Sequence, residues 1–88
     1  MKAPTNQHEL TLWYLFNKDA FSLREVINDS MFFKFQTRLS ELEKEHGLLA
    51  KRTKVKFTNR FQHSGVCYLY EAIDKQKVLS IYNLITRY

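Results

Sequence analysis

The chain has 88 residues, enough for one domain with a single modest core and too few for a second. It carries 14 Lys and Arg residues against 9 Asp and Glu residues, a net charge of +5. No stretch of 18 residues is apolar, and residues 1–5 lead into polar sequence without an apolar signal region. We therefore expect no membrane span and a cytoplasmic location, inside a bacterial or host cell.

The sequence lacks the signatures of a catalytic or metal centre. Cys67 is the only cysteine, so no internal disulfide can form, and its place in an apolar strand favours a buried thiol. His8, His46 and His63 are far apart and lack thiol or carboxylate companions at ligand spacing. No nucleophile motif and no Gly-rich phosphate loop is present. We therefore expect no enzyme activity, no cofactor and no metal.

Two short helices are predicted in the first third of the chain. Asn6 or Thr5 can cap a helix over about 7–17, in which aromatic and leucine residues recur on successive turns. An S-x-x-E sequence beginning at Ser22 has the form of a capping box, in which the hydroxyl and the carboxylate satisfy free backbone donors. This motif predicts a second helix over 23–28.

A third, longer helix is predicted after a short turn. The Asn-Asp-Ser sequence at 28–30 is expected to form the turn and to supply the next cap. Apolar residues including Phe35 and Leu39 then recur at spacings of three and four, which predicts a helix over about 31–46. Gly47 ends this helix because glycine readily adopts a positive φ.

The segment after Gly47 is predicted to form a β-hairpin with strands over 49–57 and 66–71 and with Ser64-Gly65 in the loop. Apolar and basic residues alternate along the first strand, so each type occupies one face. The predicted core face holds Val55 and Phe57, and the predicted solvent face holds Lys54 and Lys56.

A last helix over about 75–87 can be capped by Asp74. Its apolar stripe consists of Val78, Ile81, Tyr82 and Ile85. Two alternatives remain open for this stripe. It can pack on the first helix within one chain, or against its copy in a homodimer that reads two half-sites.

The order of elements predicts a single α+β domain over 1–88. Its helix-turn-helix covers about 22–46, a two-stranded wing covers about 49–71, and the additional C-terminal helix covers about 75–87. In such winged helix-turn-helix domains the second helix of the pair enters the major groove of DNA.

Basic residues are concentrated in this predicted helix-turn-helix and wing. The span 34–70 contains eight Lys and Arg residues and three Glu residues, a net charge of +5, so the remainder of the chain is neutral. The predicted recognition-helix contacts are Phe33, Lys34, Gln36, Thr37 and Arg38. The predicted wing contacts are Lys51, Arg52, Lys54, Lys56 and Arg60.

Several of these residues can have structural roles instead of contacting DNA. Lys34, Gln36 and Thr37 can be solvated side chains, and Arg38 can pair with Glu41 or Glu45 on its own helix. The wing lysines can protect an edge strand from aggregation. The acidic residues Glu41, Glu43 and Glu45 are expected to point away from a bound duplex. The hairpin aromatics Phe57, Phe61, Tyr68 and Tyr70 can stack on unpaired bases or can pack in the core.

From about residue 9 to residue 73, the sequence resembles the small winged helix-turn-helix proteins of bacteriophages and prophages. Those proteins have the pattern R-L-x-x-R-I-x-x-L-R-x-x-G-x-x-I before a basic hairpin that closes on a Y-x-L strand. Residues 34–42, Lys-Phe-Gln-Thr-Arg-Leu-Ser-Glu-Leu, match its helical core, residues 47–49 its exit, and residues 68–70 its last strand. Glu43 stands where the pattern often has an arginine, and the glycine falls one place later.

This resemblance implies binding to double-stranded DNA, as a phage or prophage regulator of transcription or DNA transactions. One alternative is a protein-interaction module whose basic wing binds an acidic host protein. Another is RNA or single-strand binding through the hairpin aromatics. Competition between duplex, single strand and host protein would distinguish the three.

Overall fold

The computed structural model describes residues 3–58, 61 and 64–86. Within these residues the chain forms four α-helices and a three-stranded antiparallel sheet, an α+β fold. The elements are α1 (Gln7–Asn17), β1 (Phe21–Ser22), α2 (Leu23–Ser30), α3 (Phe35–His46), β2 (Ala50–Thr58), β3 (Ser64–Ala72) and α4 (Lys75–Ile85). No helix in this part of the chain has the length and apolar character that crossing a bilayer requires.

The sheet has the strand order β1-β3-β2. β2 and β3 form a hairpin whose register runs from Ala50 opposite Ala72 to Thr58 opposite Ser64. The short β1 adds to the other edge of β3, near its C-terminal end. The two-residue β1 was not predicted, because it is too short to show the alternation by which strands are recognised.

The core lies between the helices and the base of the hairpin. Phe21, Phe35 and Tyr70 pack together there, with the Phe35 and Tyr70 ring centroids 5.2 Å apart. α4 packs mainly against α1, and the predicted α4 stripe is buried in this contact except for the half-buried Ile85. The stripe therefore packs on α1 within the chain, as in the first of its two alternatives.

Helix ends that depend on nearby side chains lie where the sequence predicts them. Asn6, Ser22 and Asp74 cap α1, α2 and α4, and each accepts a hydrogen bond from a backbone N–H in the first turn. Gly47 ends α3 with a φ of 66°. Local hydrogen bonding alone decides these boundaries, which is why the sequence predicts them.

The predicted turn between α2 and α3 is displaced. Residues 28–30 continue α2, and Met31 ends that helix in the left-handed region with a φ of 55°. α3 therefore begins at Phe35 rather than at residue 31. Burial of Phe32 within the turn and of Phe35 at the start of α3 favours this arrangement, although glycine suits the Met31 conformation better.

The hairpin differs from the prediction in two respects. Ser64 and Gly65 belong to β3, paired with Thr58 and Phe57, so the connection lies between residues 58 and 64. The two faces are also reversed. Directly paired residues share a face of the sheet, and Lys54 pairs with Tyr68, two residues from the buried Tyr70.

We call the face on the helix side the inner face. Beyond the Ala50–Ala72 pair, it includes Arg52, Lys54, Lys56, Val66, Tyr68 and Tyr70. The opposite face, which we call the reverse face, includes Lys51, Thr53, Val55, Cys67 and Leu69. The sequence predicts Phe57 in the core, but its side chain lies outside the described part of the structure. The core extends along the inner face only as far as Tyr70, so Lys54 and Lys56, further along this face, remain exposed.

Candidate nucleic-acid interface

The start of α3 and the turn before it present polar and aromatic side chains to solvent. Phe33 is 63 % exposed, and Lys34, at the N-cap position, is exposed and makes no side-chain capping hydrogen bond. Thr37 is exposed one turn further on, followed by Ser40 and Lys44 at helical spacing. These side chains form the outward stripe of α3, which is the face available to a ligand.

Gln36 is held in place by the core. Its Nε2 donates a 2.7 Å hydrogen bond to the hydroxyl of Tyr70, whose ring is buried between Phe21 and Phe35. The amide therefore has a fixed orientation beside the hairpin, and it does not extend freely from α3.

Arg38 faces α1. Its Nε donates a 2.8 Å hydrogen bond to Oε1 of Gln7, and its guanidinium also donates to Glu41. The bond from Arg38 lowers the pKa of the Glu41 carboxyl, and His8 lies 3.6 Å from the same carboxylate. The sequence alternative in which Arg38 pairs with Glu41 describes this arrangement, so α3 uses this arginine to contact its neighbouring helix.

The five predicted wing cations separate into different environments. Lys54 and Lys56 are exposed on the inner face, and the described part of the chain places no carboxylate within ion-pairing distance of either. Lys51 lies on the reverse face opposite Glu71. Arg60 lies outside the described residues.

Arg52 is paired with the acidic segment of α3. Its guanidinium donates two hydrogen bonds to Glu43, at 3.1 and 2.7 Å, and lies 5.8 Å from the centroid of the Tyr70 ring. The bonds to Glu43 raise the pKa of Arg52. Glu43 therefore points toward the base of the wing, while Glu41 binds Arg38 and Glu45 lies beside His46.

A cleft of about 870 Å³ separates the wing from α2 and α3. One wall is the start of α2 at Leu23 and Arg24, and Gln36 contributes from α3. The opposite wall is the β3 side of the hairpin, including Val66 and Tyr68. The cleft thus brings the N-terminal ends of both helices next to the lysine-bearing face of the hairpin.

Sequence patterns did not identify two residues of this site. Arg24 was assigned only to the capping-box helix, and its position on the cleft wall depends on the packing of α2 beside β3. The pairing of Glu43 with Arg52 joins α3 to β2 across the Gly47 turn. No local sequence pattern predicts these two contacts, because both depend on tertiary packing.

Comparison with known proteins gave no match for this chain among protein-family models, curated protein sequences or solved structures. Among the described residues, no group of three or more His, Cys, Asp or Glu side chains is placed to hold a metal ion. The chemistry of the cleft and of its rim is therefore the basis for a functional proposal.

Proposed function

We propose that the protein binds double-stranded DNA as a winged helix-turn-helix domain, with the outward stripe of α3 in the major groove and the inner face of the hairpin on the backbone. The succession of α2, α3 and a basic hairpin supports this proposal. So do the exposed residue types of the outward stripe, because lysine and threonine side chains contact base edges and phosphates.

One observation carries the proposal. The cleft places the start of α3 beside the hairpin face that bears Lys54 and Lys56, so cations from separate segments border one concave surface. A polyanion lying across the cleft would contact both sides of it.

Within the proposed interface we distinguish side chains that are paired with carboxylates from those that are not. Lys34 and Thr37 remain as candidates for groove contacts, and Lys54 and Lys56 for phosphate contacts. Arg38 and Arg52 are held by carboxylates and are assigned to stability instead. A regulatory role in a phage or prophage is part of the proposal and rests on the sequence resemblance.

Binding to an acidic host protein is the second candidate, favoured by the exposed side chains of Met31 and Phe33 at the turn before α3. Large apolar side chains that are exposed next to one another are typical of protein contacts. Retention of a host partner by a protein that binds no duplex would support it.

Two lysines on opposite faces of β2 provide the test of duplex binding. Lys54→Gln and Lys51→Gln remove the same charge from the same strand, but only Lys54 lies on the inner face. We expect Lys54→Gln to reduce the slope of log affinity against log salt by about 0.9, the value for one lost phosphate contact. Lys51→Gln should leave the slope nearly unchanged. Equal effects, or no duplex binding by the unaltered protein, would contradict the proposed interface.

A further inference from the structure

The cleft has apolar residues on both walls and basic residues at its rim. Val66 and Tyr68 lie on its hairpin wall and are 47 % and 45 % exposed, and Leu23 lines the opposite wall. Arg24 stands at one side, and Lys54 is the direct cross-strand neighbour of Tyr68. No carboxylate is among the described side chains that line the cleft.

A phosphate backbone alone would match only the rim. A charged phosphate would lose its hydration against the apolar walls, which offer it no hydrogen-bond donors. A nucleotide matches the apolar walls better. Its base can stack on Tyr68 while its phosphate reaches Lys54 and Arg24. The concavity is also within the size range of pockets that hold small organic ligands.

Gln36 adds a polar group of suitable geometry to the lining of the cleft. One N–H of its amide is used by Tyr70, which fixes the amide plane. Within the described part of the chain, Oε1 of Gln36 accepts no hydrogen bond, and the second N–H has no acceptor. A fixed amide with one donor and one acceptor remaining is complementary to the edge of a nucleobase.

We propose that this cleft binds an unpaired nucleotide of DNA, with its base stacked on Tyr68 and its edge hydrogen-bonded to Gln36. This inference rests on the proposed function in one respect, since the adjoining duplex surface is the reason for choosing DNA. The cleft chemistry itself does not require the α3 stripe. Single-strand binding can therefore be measured separately from duplex binding.

The test measures the affinity of the unaltered protein, Tyr68→Ala and Tyr68→Phe for a labelled oligothymidine of ten nucleotides and for a duplex of equal length. Removing the ring should weaken oligothymidine binding roughly 5- to 150-fold, the range for one lost base–aromatic stack. Tyr68→Phe keeps the ring and should bind almost as tightly as the unaltered protein. Thr53→Ala, on the reverse face of the hairpin, should leave oligothymidine binding unchanged.

Each outcome separates the two proposals. Duplex binding without oligothymidine binding would overturn the cleft proposal and leave the proposed function standing. Loss of oligothymidine binding in Tyr68→Ala, in a protein that never binds duplex, would support the cleft and remove the duplex interface. Tighter binding of oligouridine than of oligothymidine would overturn DNA as the occupant, and so would equal competition by a poly-glutamate peptide.

A second measurement covers the case in which Tyr68→Ala does not fold. An oligothymidine with photoreactive bases can be crosslinked to the unaltered protein, and the adduct mapped by mass spectrometry. We expect the adduct on Tyr68 or on its neighbours in the cleft wall. An adduct confined to the reverse face of the hairpin would overturn the proposal.

Discussion

At the scale of single residues, one carboxylate alters the charge of the wing. The sequence has no acidic residue from Lys51 to Tyr70, which indicates an uncompensated basic hairpin. The fold nevertheless brings Glu43 within 2.7 Å of Arg52. The charge along a segment is therefore a property of the sequence, while the charge available to a ligand depends on how α3 packs beside β2.

Removing this carboxylate should increase the affinity of the protein for nucleic acid. Glu43→Gln frees Arg52 for a phosphate, so we expect the slope of log affinity against log salt to steepen by about 0.9. Glu45→Gln is the matched control, because it changes the net charge equally and Glu45 lies beside His46. Salt titrations of duplex binding measure both slopes. The same steepening in both variants would show that net charge, and not the release of Arg52, is responsible.

The Gln36 contact shows the same limit of sequence reasoning for a neutral side chain. Its position near the start of α3 predicts an outward, base-reading residue. Its hydrogen bond to Tyr70 links residues 34 positions apart, and no local pattern encodes that contact. Phe33, Lys34 and Thr37 are exposed, as Gln36 is, and have no such partner within the described residues. Their contacts with DNA remain predictions.

At the scale of elements, the local signals predicted most of the fold. The bounds of α1 agree with the prediction, and those of α4 differ only at its C-terminal end. The start of α3 was wrong because Phe32 is buried by tertiary packing in a non-helical turn. The inner face of the hairpin was wrong because alternation shows which residues share a face but not which face meets the helices.

The role of α4 as part of the core can be tested with two residues of the same helix. Ile81 is buried, whereas Leu84 is 47 % exposed. Ile81→Ala should lower the free energy of unfolding by about 2–5 kcal/mol, because it removes buried methyl groups and leaves a cavity. Leu84→Ala should change it by less than about 0.5 kcal/mol. Urea unfolding curves followed by circular dichroism provide both values.

Sedimentation of the same two variants completes this comparison. If α4 instead formed a dimer interface, Ile81→Ala would give a folded monomer from a dimeric parent. A monomeric parent that loses stability on this substitution agrees with the packing of α4 on α1. Similar stability losses for the two variants would show that both side chains are buried, contrary to the structure.

At the scale of the whole molecule, two buried tyrosines join the helices into one unit. The Tyr14 hydroxyl, on α1, donates a 2.5 Å hydrogen bond to Asp29 and also contacts Ser30, at the end of α2. Burial, reinforced by the bond to Asp29, raises the pKa of Tyr14. Burial likewise raises the pKa of Tyr82, on α4, and the nearby Glu9 carboxylate adds to this effect. Folding therefore favours the protonated form of both phenols.

This preference fixes the sign of the pH dependence of stability at alkaline pH. A group whose pKa is higher in the folded state binds its proton more tightly there than in the unfolded chain. Its contribution is complete below the unfolded value of about 10 and is lost as the pH rises through the higher folded value. At the acidic end the sign is opposite for Glu41, whose lowered pKa gives a contribution that disappears as the pH falls below about 4.

Tyr14→Phe tests the alkaline limb. At pH 7 the substitution should lower the free energy of unfolding by roughly 0.5–1.5 kcal/mol, the net value of a typical hydrogen bond. Above pH 10 the unaltered protein should lose stability more steeply than Tyr14→Phe, because the variant has one fewer phenol to keep protonated, so their difference should narrow. Urea unfolding at pH 7, 9, 10.5 and 11 measures the trend.

Tyr68→Phe is the control, because Tyr68 is half-exposed on the inner face of the hairpin. Its free energy of unfolding should change with pH in parallel with that of the unaltered protein. Parallel curves for Tyr14→Phe as well would contradict a linkage through the Tyr14 hydroxyl and assign the alkaline loss to other groups.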